Sequence, residues 1–131
     1  MTDPRDLFRL DVLRPWLEDH EFHSRDWGLL ASASDRPWVT FAGRELYPDV
    51  WHKAGALLDS IESGHPLLDG NRRLGVLLVS LMLRAHGVDD QSISDDQWCD
   101  LVVDVAADHP DVDTIAAKLR ELATPSPRDR Q

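Results

Sequence analysis

Only five consecutive residues of this chain, Pro37-Trp38-Val39-Thr40-Phe41, have the character of a β-strand, and Ala42-Gly43 closes them at once. So short a strand can pair only with its own return, which permits a small flap or hairpin but no sheet. Elsewhere the apolar residues recur at helical spacing. Leu7, Leu10, Leu13 and Leu17 make one stripe, on a helix or helix pair bent near Pro15. Asp26 caps a short segment to Ala33, in which Trp27, Leu29 and Leu30 pack. Asp49 caps a helix to about Ser63; Ala54, Gly55 and Ala56 let a neighbour approach, and Gly64 ends it. Asn71 opens the most apolar helix, Arg72 to His86, stopped by Gly87. Leu74, Val76, Leu77, Leu78, Val79, Leu81, Met82 and Leu83 leave it almost no polar face, so it belongs in the centre of a bundle. Two more helices, about Asp95–Ala107 and Val112–Leu122, begin with acidic residues, as the helix dipole favours. The reading is all-α: one domain over residues 1–123 and a disordered tail over 124–131.

Charge and cysteine content narrow the function. With 14 Lys+Arg against 24 Asp+Glu the net charge is −10, which opposes general nucleic-acid binding, since phosphate-driven affinity needs a positive field. The single Cys99 excludes a disulfide framework and fits a reducing cytosol. The longest apolar run, Leu74 to Leu83, is too short for a membrane span, and MTDPRDLFRL lacks a signal-peptide stretch, so the expected location is the cytoplasm. Cys99 beside Trp98 reads as buried core. Trp16, Trp27, Trp38, Trp51 and Trp98 read mostly as core, with Trp38 placed to touch a partner. His20-Glu21-Phe22-His23 falls one residue short of a zincin spacing, and His52, His86 and His109 have no constellation around them.

The informative segment is Gly64-His-Pro-Leu-Leu-Asp-Gly-Asn-Arg-Arg73. Unpaired N–H groups at a helix start, with the positive end of the dipole, favour an anion. Gly70 lets the backbone turn closely enough for consecutive N–H groups to form a nest. Arg72 and Arg73 add permanent positive charge suited to phosphate oxygens. Asp69 is a hard carboxylate of the kind that holds Mg²⁺ against phosphates. His65, in a Pro-containing loop, carries the imidazole that exchanges a proton most readily near neutral pH. Anion cradle, metal ligand and base together describe phosphoryl or nucleotidyl transfer. The plainer alternative is that Asp69 or Asn71 only caps a helix and Gly70 only turns. Against it, dipole logic prefers acids in a first turn, so two adjacent arginines there are misplaced unless an anion visits.

The segment resembles the Fic/Doc motif His-x-Phe-x-(Asp/Glu)-(Gly/Ala)-Asn-(Gly/Lys)-Arg, matched at His65, Asp69, Gly70, Asn71 and Arg73. Arg25-Asp26-Trp27-Gly28-Leu29-Leu30, Arg36-Pro37, Leu46-Tyr47-Pro48 and the helix ending in Gly87-Val88 extend the likeness over about Leu10 to Leu122, closest to the short death-on-curing (Doc) toxins. The resemblance implies a Fic-fold helical bundle with a central buried helix and a β-hairpin flap. It implies ATP as co-substrate and Mg²⁺ as cofactor. His65 would deprotonate a protein hydroxyl, Asp69 would hold Mg²⁺, and Gly70, Asn71, Arg72 and Arg73 would hold the phosphates. The flap residues Pro37, Trp38, Val39, Thr40 and Phe41 would align a target backbone by strand addition.

Three departures matter. AMP-transferring members carry a second arginine where this chain has Val76, and its loss resembles the branch that transfers the γ-phosphate. Arg72 stands where Doc-like proteins have Lys, and Leu67 replaces the usual Phe. No Ser/Thr-x-x-x-Glu inhibitory motif occurs in the chain, which implies a separate, Phd-like antitoxin. The implied function is a toxin of a toxin–antitoxin system that phosphorylates a Ser or Thr of a translation protein, by resemblance elongation factor Tu, and arrests growth. AMP transfer and a non-catalytic peptide-binding module are the alternatives.

Overall fold

A computed structural model describes residues 3–124; the tail expected over 124–131 lies, apart from Thr124, outside the described residues. The described residues build six α-helices and one two-stranded antiparallel hairpin. After a 3₁₀ turn at Pro4–Phe8 come α1 (Leu10–Asp19) and α2 (Trp27–Asp35). A second 3₁₀ turn, Arg36–Trp38, leads into β1 (Thr40–Phe41) and β2 (Arg44–Glu45). Then follow α3 (Val50–Gly64), α4 (Asn71–Ala85), α5 (Asp95–Asp108) and α6 (Val112–Ala123). None of the helices described is long and apolar enough to cross a membrane. The fold is an all-α helical bundle with a small hairpin, as the resemblance implies.

Local chemistry accounts for most helix starts. Asp26, Asp49 and Asp111 each accept a backbone N–H as N-caps, and Ser94 with Gln97 forms a reciprocal capping box. Pro15 stands inside α1 without ending it, and Leu13 and Leu17 bury that helix's apolar stripe. On α5, Trp98, Leu101, Val102 and Val105 recur at helical spacing and are the buried face. Cys99 lies off that stripe and is exposed, which corrects its reading as core. Trp16 is likewise exposed at 41%, stacked on His20, so only some of the tryptophans fill the core.

The middle of the bundle is shared by α3 and α4. α3 packs against α2, α4, α5 and α6. Gly55 makes the α6 approach possible, since a Cβ there would stand 3.1 Å from the Val112 carbonyl oxygen. α4 buries Leu74, Gly75, Leu78, Val79, Met82 and Leu83, whereas Arg72, Arg73, Leu77 and Arg84 face solvent. Beyond its C-terminus, Asp90 is buried and bonded by the Ser80 hydroxyl and by Arg84 Nε at 2.9 Å, tying the α4–α5 connection to the helix.

The flap differs from its sequence reading. The strand begins at Thr40; Arg36-Pro37-Trp38 is a 3₁₀ turn in which Pro37 is buried. Trp38 turns inward onto Phe8, with ring centroids 5.4 Å apart, and that long-range contact overrides the local β propensity. Thr40 pairs with Glu45 and Phe41 with Arg44 across Ala42-Gly43, both in the left-handed region. Lys53, buried on α3, anchors the base of the hairpin. Its Nζ donates to Pro37 O at 3.2 Å, Tyr47 O at 2.6 Å and Glu45 Oε1 at 2.9 Å.

Candidate active site

The loop between α3 and α4 is shaped by an exchange of backbone roles. Gly64 stays helical, and His65 takes the left-handed cap conformation, φ 49° and ψ 62°, donating its N–H to Ile61 O at 3.0 Å. A residue with a Cβ pays about 1 kcal/mol or more for that conformation. Arg25 holds it there: Nε donates to the His65 carbonyl at 3.0 Å and Nη2 to the Gly64 carbonyl at 2.9 Å. The neighbouring chain completes the clamp. The Arg25 N–H donates to Pro66 O, the Leu68 N–H to His23 O, each at 2.9 Å, and Ser24 bridges Leu67. Leu67, where the motif has Phe, is 2% exposed and anchors the loop in the core.

The loop's second half leaves the start of α4 open. The Asn71 side chain does not cap the helix; it turns back to bracket Leu67, with Oδ1 accepting the Leu67 N–H at 2.9 Å and Nδ2 donating to the Leu67 carbonyl at 3.0 Å. Asp69 Oδ1 accepts the N–H of Gly70 at 2.8 Å. Gly70 is the N-cap, at φ 87°, and has no side chain with which to cap. A Cβ at that position would also crowd the Phe22 ring at 3.3 Å and Arg73 Nη2 at 3.4 Å. The bland reading of Asp69 and Asn71 as caps is thereby removed, and the first-turn N–H groups of α4 are left without a side-chain acceptor.

His65, Asp69, Gly70, Asn71 and Arg72 line one cavity of about 350 Å³, closed by Leu68, Ala106 and Glu62. Five of the six expected residues of the motif cradle therefore meet. Arg73 does not line this cavity: its guanidinium lies 4.5 Å over the Phe22 ring. Neither Arg72 nor Arg73 forms an ion pair among the described residues. No cluster of three or more His, Cys, Asp or Glu side chains gathers among the described residues, around His20 and His23 included.

Glu62 was not foreseen. It sits one turn before His65 on the buried stripe that includes Leu58, is 1% exposed, and its Oε2 has no hydrogen-bond partner. Burial pushes its carboxyl up to about 7, against a partial opposing pull from the Arg72 charge. An acid on an otherwise apolar helical stripe was the available signal.

The flap is not part of the cavity. Val39 at its entrance lines a neighbouring groove of about 490 Å³, floored by α2 and α3, which ends at Ser63 and Gly64 beside His65. Phe41 stands 78% exposed on the hairpin. Arg36 frames the groove, its Nη1 bonded to Asp59 Oδ2 at 2.7 Å and Ser60 Oγ at 2.9 Å.

A sequence profile described as the Fic/DOC family matches residues 8–83. A curated protein named Toxin Doc, from Mycolicibacterium smegmatis (strain ATCC 700084 / mc(2)155), is 40% identical over 104 residues, spanning 79% of this chain and 80% of that protein. No solved structure matches the chain significantly.

Proposed function

Because the chain belongs to the Fic/DOC family, whose members are protein-modifying transferases, we propose that it is a Doc-like toxin that moves the γ-phosphate of ATP to a Ser or Thr hydroxyl of a translation protein. One observation carries this reading: the uncapped start of α4, Arg72, Asp69 and His65 share a single cavity. The polyphosphate lies against the first-turn N–H groups, where dipole and Arg72 both favour negative charge. Arg73, its guanidinium over the Phe22 ring, stands beside Gly70 at the same helix start.

Asp69 fits a hard divalent cation: it is exposed, and Gly70 engages Oδ1 alone. Mg²⁺ bound there would neutralise phosphate charge. His65 takes the proton from the target hydroxyl as its oxygen bonds to the γ-phosphorus. The bond from that phosphorus to the β,γ-bridging oxygen breaks, and ADP leaves. The target enters along the groove that runs from the flap to Gly64, its backbone adding to the free edge of the hairpin. Val76, in place of a second motif arginine, favours γ-phosphate over AMP transfer.

By resemblance the target is elongation factor Tu, which places the activity in the cytoplasm, and the restraining partner is a Phd-like antitoxin. Leu68 at the cavity rim, 69% exposed, and Phe41 on the flap are apolar surfaces such a partner would cover. The test is incubation with elongation factor Tu and ATP labelled at either the γ- or the α-phosphate. The γ-label appears on the target, and His65→Ala lowers the rate about 10²- to 10⁴-fold. Label from the α-position would instead establish AMP transfer. Growth arrest by His65→Ala equal to the parent's would establish a non-catalytic module.

A further inference from the structure

The mechanism above leaves one buried group of the cavity without a task. Glu62 lies in its wall, 1% exposed, with Oε2 unpartnered. The carboxyl occupies a slot that α4 leaves for it: a Cβ on Gly75 would stand 2.7 Å from Oε2. A buried acid usually has an arginine or a backbone donor in hydrogen-bond contact; this one has neither. Around the cavity the other charged or titratable groups are His65 at the end of the same helix, Asp69 on the loop and Arg72 on α4, while α5 presents only Ala106. Of these, Arg72 is the charge whose field reaches the carboxyl.

We propose that Glu62 is a hydrogen-bond donor of the anion cavity: its neutral carboxyl O–H donates to a phosphate oxygen, so that the nucleotide binds together with a proton. The inference rests on the reading of this cavity as a phosphate seat. An ionised carboxylate in the wall would repel a polyphosphate, and it would compete with that polyphosphate for the Arg72 charge. The neutral acid does neither. Through Oε1, the oxygen that is not enclosed, it offers the donor that a phosphate oxygen needs, while Oε2 stays in its slot against Gly75. Burial leaves the carboxyl about half neutral at pH 7, so the proton costs little to add there.

The test is calorimetric titration of the full chain with ATP and Mg²⁺, in buffers of different ionisation enthalpy, at pH 7, 8 and 9. The wild type takes up close to one proton per nucleotide at pH 8 and loses about tenfold in affinity per pH unit above 7. Glu62→Gln, which keeps an N–H donor but cannot ionise, removes that uptake and holds its affinity level over the same range. Binding by the wild type without proton uptake overturns the proposal, without need of any variant. So does equal uptake by wild type and Glu62→Gln, or a folded Glu62→Gln that no longer binds. If neither protein binds ATP at all, the phosphate seat itself is disproved and the proposal falls with it.

Discussion

At the scale of single residues, the site depends on positions where backbone or charge is held against its preference. His65 adopts a conformation that Gly64, its neighbour, could take at no steric cost, and two Arg25 hydrogen bonds to the carbonyls of Gly64 and His65 hold it there. The exchange directs a side chain, which glycine lacks, into the cavity. Glu62 is the electrostatic counterpart. Its value in the folded chain, about 7, lies above that of an unfolded glutamate. The stability associated with its neutral form is therefore complete at pH 4 and lost as the pH rises through about 7. Glu62→Gln has the same shape and no charge, so urea unfolding should show it gaining on the wild type by about 2 to 3 kcal/mol between pH 5 and pH 8. A constant difference across that range would show that the carboxyl is solvated. Asp49, Asp90 and His52 also titrate with shifted values, but they do so equally in both proteins and cancel.

At the scale of elements, two joints position the site: the clamp of Ser24 and Arg25 on the loop, and Lys53 beneath the hairpin. Lys53→Met keeps the aliphatic stem buried while removing three hydrogen bonds, one of them to Glu45. Amide exchange across residues 38–47 should accelerate at least tenfold in that variant, while α4 and α6 keep their protection. Unchanged exchange in the hairpin would assign its order to Trp38 on Phe8 instead. Helix boundaries were largely legible in the sequence, because caps are local: Asp26, Asp49 and the acidic start of α5 each lie within a residue or two of the observed ends. The flap was only half legible. Its place was evident, but Pro37 and Trp38 left the strand because Phe8, far away in sequence, captures the indole. Cys99 was misread for a different reason: one residue beyond Trp98, it is turned about 100° round the helix, to the edge of the face that Trp98, Leu101, Val102 and Val105 bury.

At the scale of the whole molecule, a chain of net charge −10 gathers two arginines, neither ion-paired among the described residues, at the start of one central helix. The motif showed which residues would meet, since the cradle is contiguous in sequence from His65 to Arg72. It did not show Glu62, whose burial depends on Gly75 across the helix pair, or the departure of Arg73 to Phe22. The place of Arg73 is a tertiary fact without a local signature, whereas Glu62 had one, an acid on an apolar helical stripe, that the motif drew attention away from. The central claim is that the amino end of α4 seats a nucleotide's phosphates beside His65. A crystal structure of the chain with Mg²⁺ and a non-hydrolysable ATP analogue tests it most directly. Phosphate oxygens are expected about 2.7–3.2 Å from the first-turn N–H groups of α4, with the terminal phosphorus facing the imidazole. A nucleotide seated elsewhere, for instance in the apolar pocket of Val76, Leu77, Trp98 and Val102 with the His65 cavity empty, would contradict it.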